Sequence, residues 1–211
     1  MIRIDVLSRA AVLDGSADGA DAVISIRGAL RPFEESDLDL AIAQALSGDT
    51  EAVLRLRFDD VGIEHFALDE RVVLRGPTFD DVDAVIDFGR RVAPRAGSRI
   101  VLHCEQGRSR SSAAALALLA DAFGPGHENE AVATLMRSDL DGMMHPNPRF
   151  VRMADAALLR AGRLESALVE LCPRYIHWRN LWAGVEAGEA TATEKAYQVF
   201  GFARRQRRRR K

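Results

Sequence analysis

Cysteine and lysine are nearly absent from this chain of 211 residues: it has two of the first, Cys104 and Cys172, and two of the second, Lys195 and Lys211. Two cysteines exclude a disulfide framework and a structural zinc site of four thiolates. A chain of this length buries enough apolar surface to need neither. Long apolar runs are missing too. The alanine-rich run Ala113–Ala120 is far shorter than the ~20 residues of a membrane span. The opening residues, MIRIDVLSRAA, carry charge and have no apolar stretch of signal-peptide length. The expectation is a soluble, cytoplasmic protein in a reducing compartment. Arginine in place of lysine, together with abundant alanine, points to a bacterium of high GC content.

What is present is unevenly charged. The net charge is −2, yet Arg204–Lys211 holds seven basic residues and no acid, which leaves 22 basic against 31 acidic residues in the body, about −9. A basic tail on an acidic body bears on partners rather than on fold. It can attract nucleic acid or an anionic membrane surface weakly, in a salt-dependent way, fold back on the body, or stay solvated.

Hydrophobic periodicity places the elements. Ile2–Leu7, Ala22–Ile26, Val53–Phe58 and Ile100–Leu102 read as strands, the third alternating apolar and basic residues. Asp37–Leu46 reads as a helix with Ser36 as N-cap and Gly48 near its end. A charged loop follows from Asp59 to Pro77, long for a compact domain. Thr78 opens a helix with Phe79, Val82, Val85, Ile86 and Phe88 on one face, stopped by Pro94 and Gly97. Ser111–Phe123, apolar nearly all round, is expected at the centre. Helices also follow at Glu128–Arg137 and Arg149–Leu159. The expected fold is α/β, with a mostly parallel sheet of four or five strands and helices on both faces. A domain over residues 1–162 would be followed by a helical extension, 163–211, ending in the tail. Tyr175–Trp182 (YIHWRNLW) concentrates aromatics into a face that would dock on the domain or on a second copy of the chain.

The chemistry is concentrated in His103–Ser112, HCEQGRSRSS, between an apolar strand and an apolar helix. A tight loop at a helix N-terminus turns backbone N–H groups toward one point, where the helix dipole favours negative charge. Gly107 supplies a permissive backbone in mid-loop. Cys104, at the mouth of that positive concavity, should have a stabilised thiolate. Arg110 closes the loop with a planar fork suited to two oxygens of a phosphate.

His103-Cys104, five residues, then Arg110-Ser111 resembles the signature of the cysteine-dependent protein tyrosine phosphatases, and the SRS run is similar to that of dual-specificity and small bacterial members. The likeness in element order extends from about Val53 to Leu159. It implies a phosphatase fold and a metal-free, cofactor-free, two-step hydrolysis of a phosphomonoester. Cys104 would attack phosphorus and become a phosphocysteine. The amides of Glu105, Gln106, Gly107, Arg108, Ser109 and Arg110, with the Arg110 side chain, would hold the phosphate oxygens. Ser111 would hydrogen-bond the thiolate and assist its departure, and His103 would orient the loop from behind.

The resemblance also implies an aspartate acid on the loop after the strand Val53–Phe58. Asp60 is the first choice, Asp59 the second, and Asp69 further along is a third candidate, because this loop is longer than usual. Asp80, Asp81 and Asp83 read as acids of a helix N-terminus. Lipid phosphatases of the superfamily tend to carry lysines in the loop. This loop has none and sets Glu105 at its rim, which favours phosphotyrosine in a protein or peptide, with phosphoserine and phosphothreonine open. In DLDGMMHPNP (Asp139–Pro148), turn chemistry accounts for His145 and Asn147, with a place beside the pocket as the other reading. Cys172 reads as a buried bystander. Two rival functions stand beside the phosphatase: a phosphate-binding module without turnover, and an RNA-end phosphatase tethered by Arg204–Lys211.

Overall fold

A computed structural model describes residues 2–29, 36–47, 51–92 and 97–209, the last nine as backbone alone. The helix ends expected at Gly48 and Pro94 lie outside the described residues, as do the tail's side chains. In chain order the first half comprises β1 (Arg3–Ser8), α1 (Arg9–Leu13), β2 (Ala22–Arg27), α2 (Ser36–Ala45), β3 (Val53–Arg57), β4 (His65–Asp69) and β5 (Val72–Arg75). The second half comprises α3 (Phe79–Val92), β6 (Arg99–Cys104), α4 (Arg110–Phe123), α5 (Glu128–Met136), α6 (Pro148–Ala157), α7 (Arg163–Leu171), α8 (Pro173–Glu186) and α9 (Ala190–Arg209).

Four strands form a parallel sheet in the order β1-β6-β2-β3. The central pair are the most apolar runs: β2 is buried throughout and β6 from Ile100 onward, as covered strands of a parallel sheet must be. The alternating VLRLR of β3 suits an edge, where Arg55 turns outward to pair with Asp39. α1 and α2 pack together on one side; α3 and α4, backed by α5, α6 and α7, form the other layer. α4 is buried from Arg110 to Ala120, and its alanines let sheet and neighbouring helices approach closely. α3 starts where expected: Thr78 donates from both its N–H (2.9 Å) and its hydroxyl (2.9 Å) to Asp81, so that acid caps a helix.

The segment expected as one long loop, Asp59–Pro77, contains the antiparallel hairpin β4–β5. Its strands are too short, and its register too irregular around Ala67 and Asp69, to carry a clear period of two. Tertiary packing stabilises it instead. Phe66 and Leu74 of the hairpin join Val61, Trp182 and Ala196 in a second, smaller core. The short helix α1, absent from the sequence reading, is started by Ser8, whose hydroxyl accepts from the Ala11 N–H at 3.1 Å.

The main core is continuous from the sheet to Leu164, Ala167, Leu168 and Tyr175 of α7 and α8. Of the two uses foreseen for the aromatic face, docking on the chain itself is the one observed, with Tyr175 and Trp182 both buried. Among the described residues no helix is long and apolar enough to cross a membrane.

Candidate functional site

β6 lies between β1 and β2, where the chain direction of successive connections reverses, and it delivers Cys104 to the carboxyl edge of the sheet. That edge is where ligands of open α/β sheets bind. Residues 105–109 then turn into α4. Gly107 makes the turn at φ +72° with its α-carbon against the end of β1. A Cβ there would stand 2.7 Å from the Leu7 carbonyl carbon and 2.9 Å from the Ser8 nitrogen, so both dihedral and space demand glycine.

Three neighbours hold the loop through its carbonyl groups. The Arg9 N–H donates to Glu105 (3.3 Å), the His145 N–H to Arg108 (2.9 Å) and the Asn147 N–H to Ser109 (3.2 Å). The Ser112 hydroxyl adds a bond to the Arg108 carbonyl at 2.7 Å. Among the described residues, the N–H groups of Gln106, Gly107, Arg108 and Ser109 donate to no protein acceptor. Buried amides need partners, and four successive free donors beside a helix start, all but the exposed Gln106 on buried or half-buried residues, can serve an anion.

Cys104 is 3% exposed, and the Ser111 hydroxyl donates to its sulfur at 3.2 Å. Burial pushes the thiol up, but the Arg110 guanidinium and the hydroxyl and N–H of Ser111 outweigh it, so the thiol lies below its ordinary range. Arg110 donates from Nη1 to the Phe58 carbonyl at 3.1 Å, while its buried Nε has no partner. A thiol lowered in pKa and an unfilled donor thus face the same loop. Ser111→Ala removes one donor to the thiolate, so the thiol pKa should rise. The pH midpoint of Cys104 alkylation should move upward by about 1 unit or more, since a hydrogen bond to a charged group contributes ~1.5–3 kcal/mol. An unmoved midpoint would remove Ser111 from the thiolate's support.

The structure brings Asp60 to this loop. Its Oδ1 accepts from the Ser109 hydroxyl at 2.5 Å and from Asn147 Nδ2 at 3.2 Å. Asp59 is differently placed: both its oxygens accept backbone N–H groups, Ala29 at 3.1 Å and Arg75 at 3.0 Å. Burial raises the Asp59 carboxyl, although the Arg75 and Ala29 amides and the Arg110 charge oppose that. It ties the segment after β2 to the end of β5, and each of its oxygens is engaged by a backbone amide. Asp69 ends β4 and accepts from the Arg71 N–H at 2.9 Å, closing the hairpin turn.

Asn147 proves to be more than turn chemistry. Its Oδ1 accepts from the Phe150 N–H at 3.1 Å as the N-cap of α6, while its Nδ2 donates to Asp60 and to the Val61 carbonyl (3.1 Å). His145 stacks on Trp178, ring centres 4.8 Å apart, and its Nδ1 lies 2.8 Å from the Met143 carbonyl. Behind the loop, burial and then the Arg27 charge hold His103 to a pKa of about 4, only partly offset by the Cys104 backbone. Neither ring nitrogen makes a hydrogen bond of good geometry. Arg27, which sequence reasoning missed, is itself buried and held by both oxygens of Asp39; nothing in a strand reading AVISIR marks it. At the outer rim Arg108 pairs with Asp141 at 2.8 Å, Glu105 is half-buried and Gln106 exposed. Cys172 is buried, and its sulfur donates to the Met144 carbonyl at 3.5 Å.

Comparison with solved structures finds similarity to Tk-PTP in its active form, at 14% sequence identity and a TM-score of 0.48, over 75% of this chain and 92% of that one. The Yvh1 phosphatase domain from Chaetomium thermophilum is similar at 15% identity and a TM-score of 0.41, over 77% of this chain and 93% of that one. No protein-family model and no curated protein matches the chain.

Proposed function

We propose that this chain is a phosphomonoester hydrolase, a cysteine-dependent protein tyrosine phosphatase working through a phosphocysteine at Cys104. One observation carries the reading: the Cys104 thiol, lowered by Arg110 and Ser111, shares a loop with free amide donors and with Ser109, which binds the Asp60 carboxyl. A nucleophile, an anion cradle and a proton donor from the separate segment after β3 meet at one place.

In the first step the Cys104 thiolate attacks phosphorus as the bond to the leaving oxygen breaks. The electron pair goes to that oxygen, and the Asp60 carboxyl gives it a proton, releasing a phenol. The Arg110 guanidinium and the loop amides bear the charge of the equatorial oxygens. In the second step water attacks phosphorus and gives its proton to the Asp60 carboxylate. The S–P pair returns to sulfur, where the Ser111 hydroxyl stabilises the departing thiolate. His103 is kept neutral behind the loop by burial and Arg27, and it takes no proton in this scheme.

Substrate class follows from the rim. Glu105 and the absence of lysine from the loop weigh against polyanionic headgroups and favour an isolated phosphotyrosine in a peptide. The test is hydrolysis of a small aryl phosphate by clean, reduced protein with chelator present, repeated on phosphotyrosine and phosphoserine peptides. Turnover that survives chelation and prefers phosphotyrosine is the expected result. Binding of phosphate without any turnover would overturn the enzyme reading in favour of a recognition module.

A further inference from the structure

The segment that carries Asp60 is anchored from two sides, and one anchor belongs to the C-terminal helices. Before Asp60, Phe58 is buried in the main core and stacks on Phe150 of α6, ring centres 5.9 Å apart. After it, Val61 is fully buried in the second core with Trp182. Gly62 lies directly against the Trp182 side chain: a Cβ on Gly62 would stand 2.7 Å from the Trp182 Cβ and closer still to its ring. Only glycine allows this contact. Trp182 is in turn held edge-on by Phe66 (5.6 Å) and by the tilted ring of Phe200 of α9 (5.8 Å). The Gly62 carbonyl also accepts from Arg152 of α6 at 3.4 Å.

We infer that Trp182 is a positioning residue for Asp60, so that α8 and α9 set where the acid stands over the signature loop. This inference rests on the phosphatase reading above. Asp60 itself reaches the loop through two hydrogen bonds, from Ser109 and Asn147. Each tolerates only a few tenths of an ångström. The backbone two residues away must therefore stay fixed, and Trp182 is the bulk that fixes it. Trp178 of α8 does reach the loop, through His145 and its bond to the Arg108 carbonyl, but the ring contacts of Trp182 are with Phe66 and Phe200 alone among those described, so its influence passes through Gly62 and Val61 to the acid.

A misplaced acid has a signature that general damage lacks. Substrates with a basic leaving oxygen need the proton, whereas a strongly acidic phenol leaves without it. Trp182→Ala is expected to lower kcat/KM, which reads the first step alone, on phenyl phosphate about 10- to 100-fold, the scale of an ångström-sized misplacement. It should change kcat/KM on dinitrophenyl phosphate by less than about threefold and leave inhibition by inorganic phosphate unchanged. Because that variant also empties part of the second core, Gly62→Ala serves as the second probe. It keeps the indole and pushes it off the loop, and the same leaving-group-selective loss should appear. The double variant should be no worse than Trp182→Ala alone, since the added methyl then meets empty space. Equal losses on both substrates, or weaker phosphate inhibition, would overturn the inference in favour of a structural role. No loss in Gly62→Ala would overturn it as well. If the unaltered protein shows no turnover at all, the phosphatase reading fails first, before any variant is made.

Discussion

Cys104→Ser is expected to bring hydrolysis of an aryl phosphate to background, a fall of about 10⁵–10⁶-fold, the scale seen when a nucleophile is removed from a covalent mechanism. The site lowers a thiol that is already moderately acidic, by the charge of Arg110 and the donors of Ser111. Neither effect can ionise an alcohol. No base is at hand to take its proton either: His103 is buried, with a pKa held near 4 and the Arg27 charge beside it. The amide donors of Gln106–Ser109 and the Arg110 side chain are untouched by the change, so inorganic phosphate should bind within about threefold of its original affinity. Paired measurement of turnover and phosphate binding therefore separates loss of the nucleophile from loss of the loop. Activity retained in the serine variant would require another nucleophile, and the scheme would fall.

Asp60→Asn should lower kcat/KM on phenyl phosphate or phosphotyrosine peptide by about 10²–10⁴-fold. The loss in kcat/KM, which reads the first step alone, should shrink on dinitrophenyl phosphate. The reason lies in the leaving group, which departs as a phenoxide unless a carboxyl supplies a proton. Asparagine has no proton to give, so the variant's rate profile across a series of phenols should fall more steeply with leaving-group basicity than that of the original protein. Asparagine keeps the shape, and its carbonyl oxygen can still accept from Ser109 and Asn147, so the segment should stay in place. A variant with an unchanged profile would take the acid's role from Asp60. Asp59 could not then inherit it without breaking its two bonds to the Ala29 and Arg75 amides.

These two expectations differ in how far they could be read from the chain alone. Cys104, Arg110 and Ser111 lie within eight consecutive residues, between a buried strand and a buried helix. Their convergence is a local matter, decided by one tight turn and one glycine. The helix start supplies free amides wherever such a turn occurs. For the acid the resemblance left three candidates on the loop after β3, Asp60 first, then Asp59 and Asp69, and the separation of Asp60 from its neighbour Asp59 was not readable. Adjacent residues on an extended segment point opposite ways, and which one meets Ser109 depends on how that segment leaves the sheet.

The sequence by itself determined the alternation of strands and helices, the central alanine helix, and the tight turn that sets Cys104 beside Arg110, Ser111 and free amides, because each rests on contacts between near neighbours. Tertiary structure alone decided the rest. The hairpin β4–β5 has strands too short to announce themselves and exists by leaning on Trp182 and Phe200. Asn147 reaches Asp60 across 87 residues, and Gly62 is a glycine because an indole from α8 occupies the space of a side chain. Packing of segments far apart in the chain has no period and no fixed spacing. It becomes visible only when the fold has closed around it.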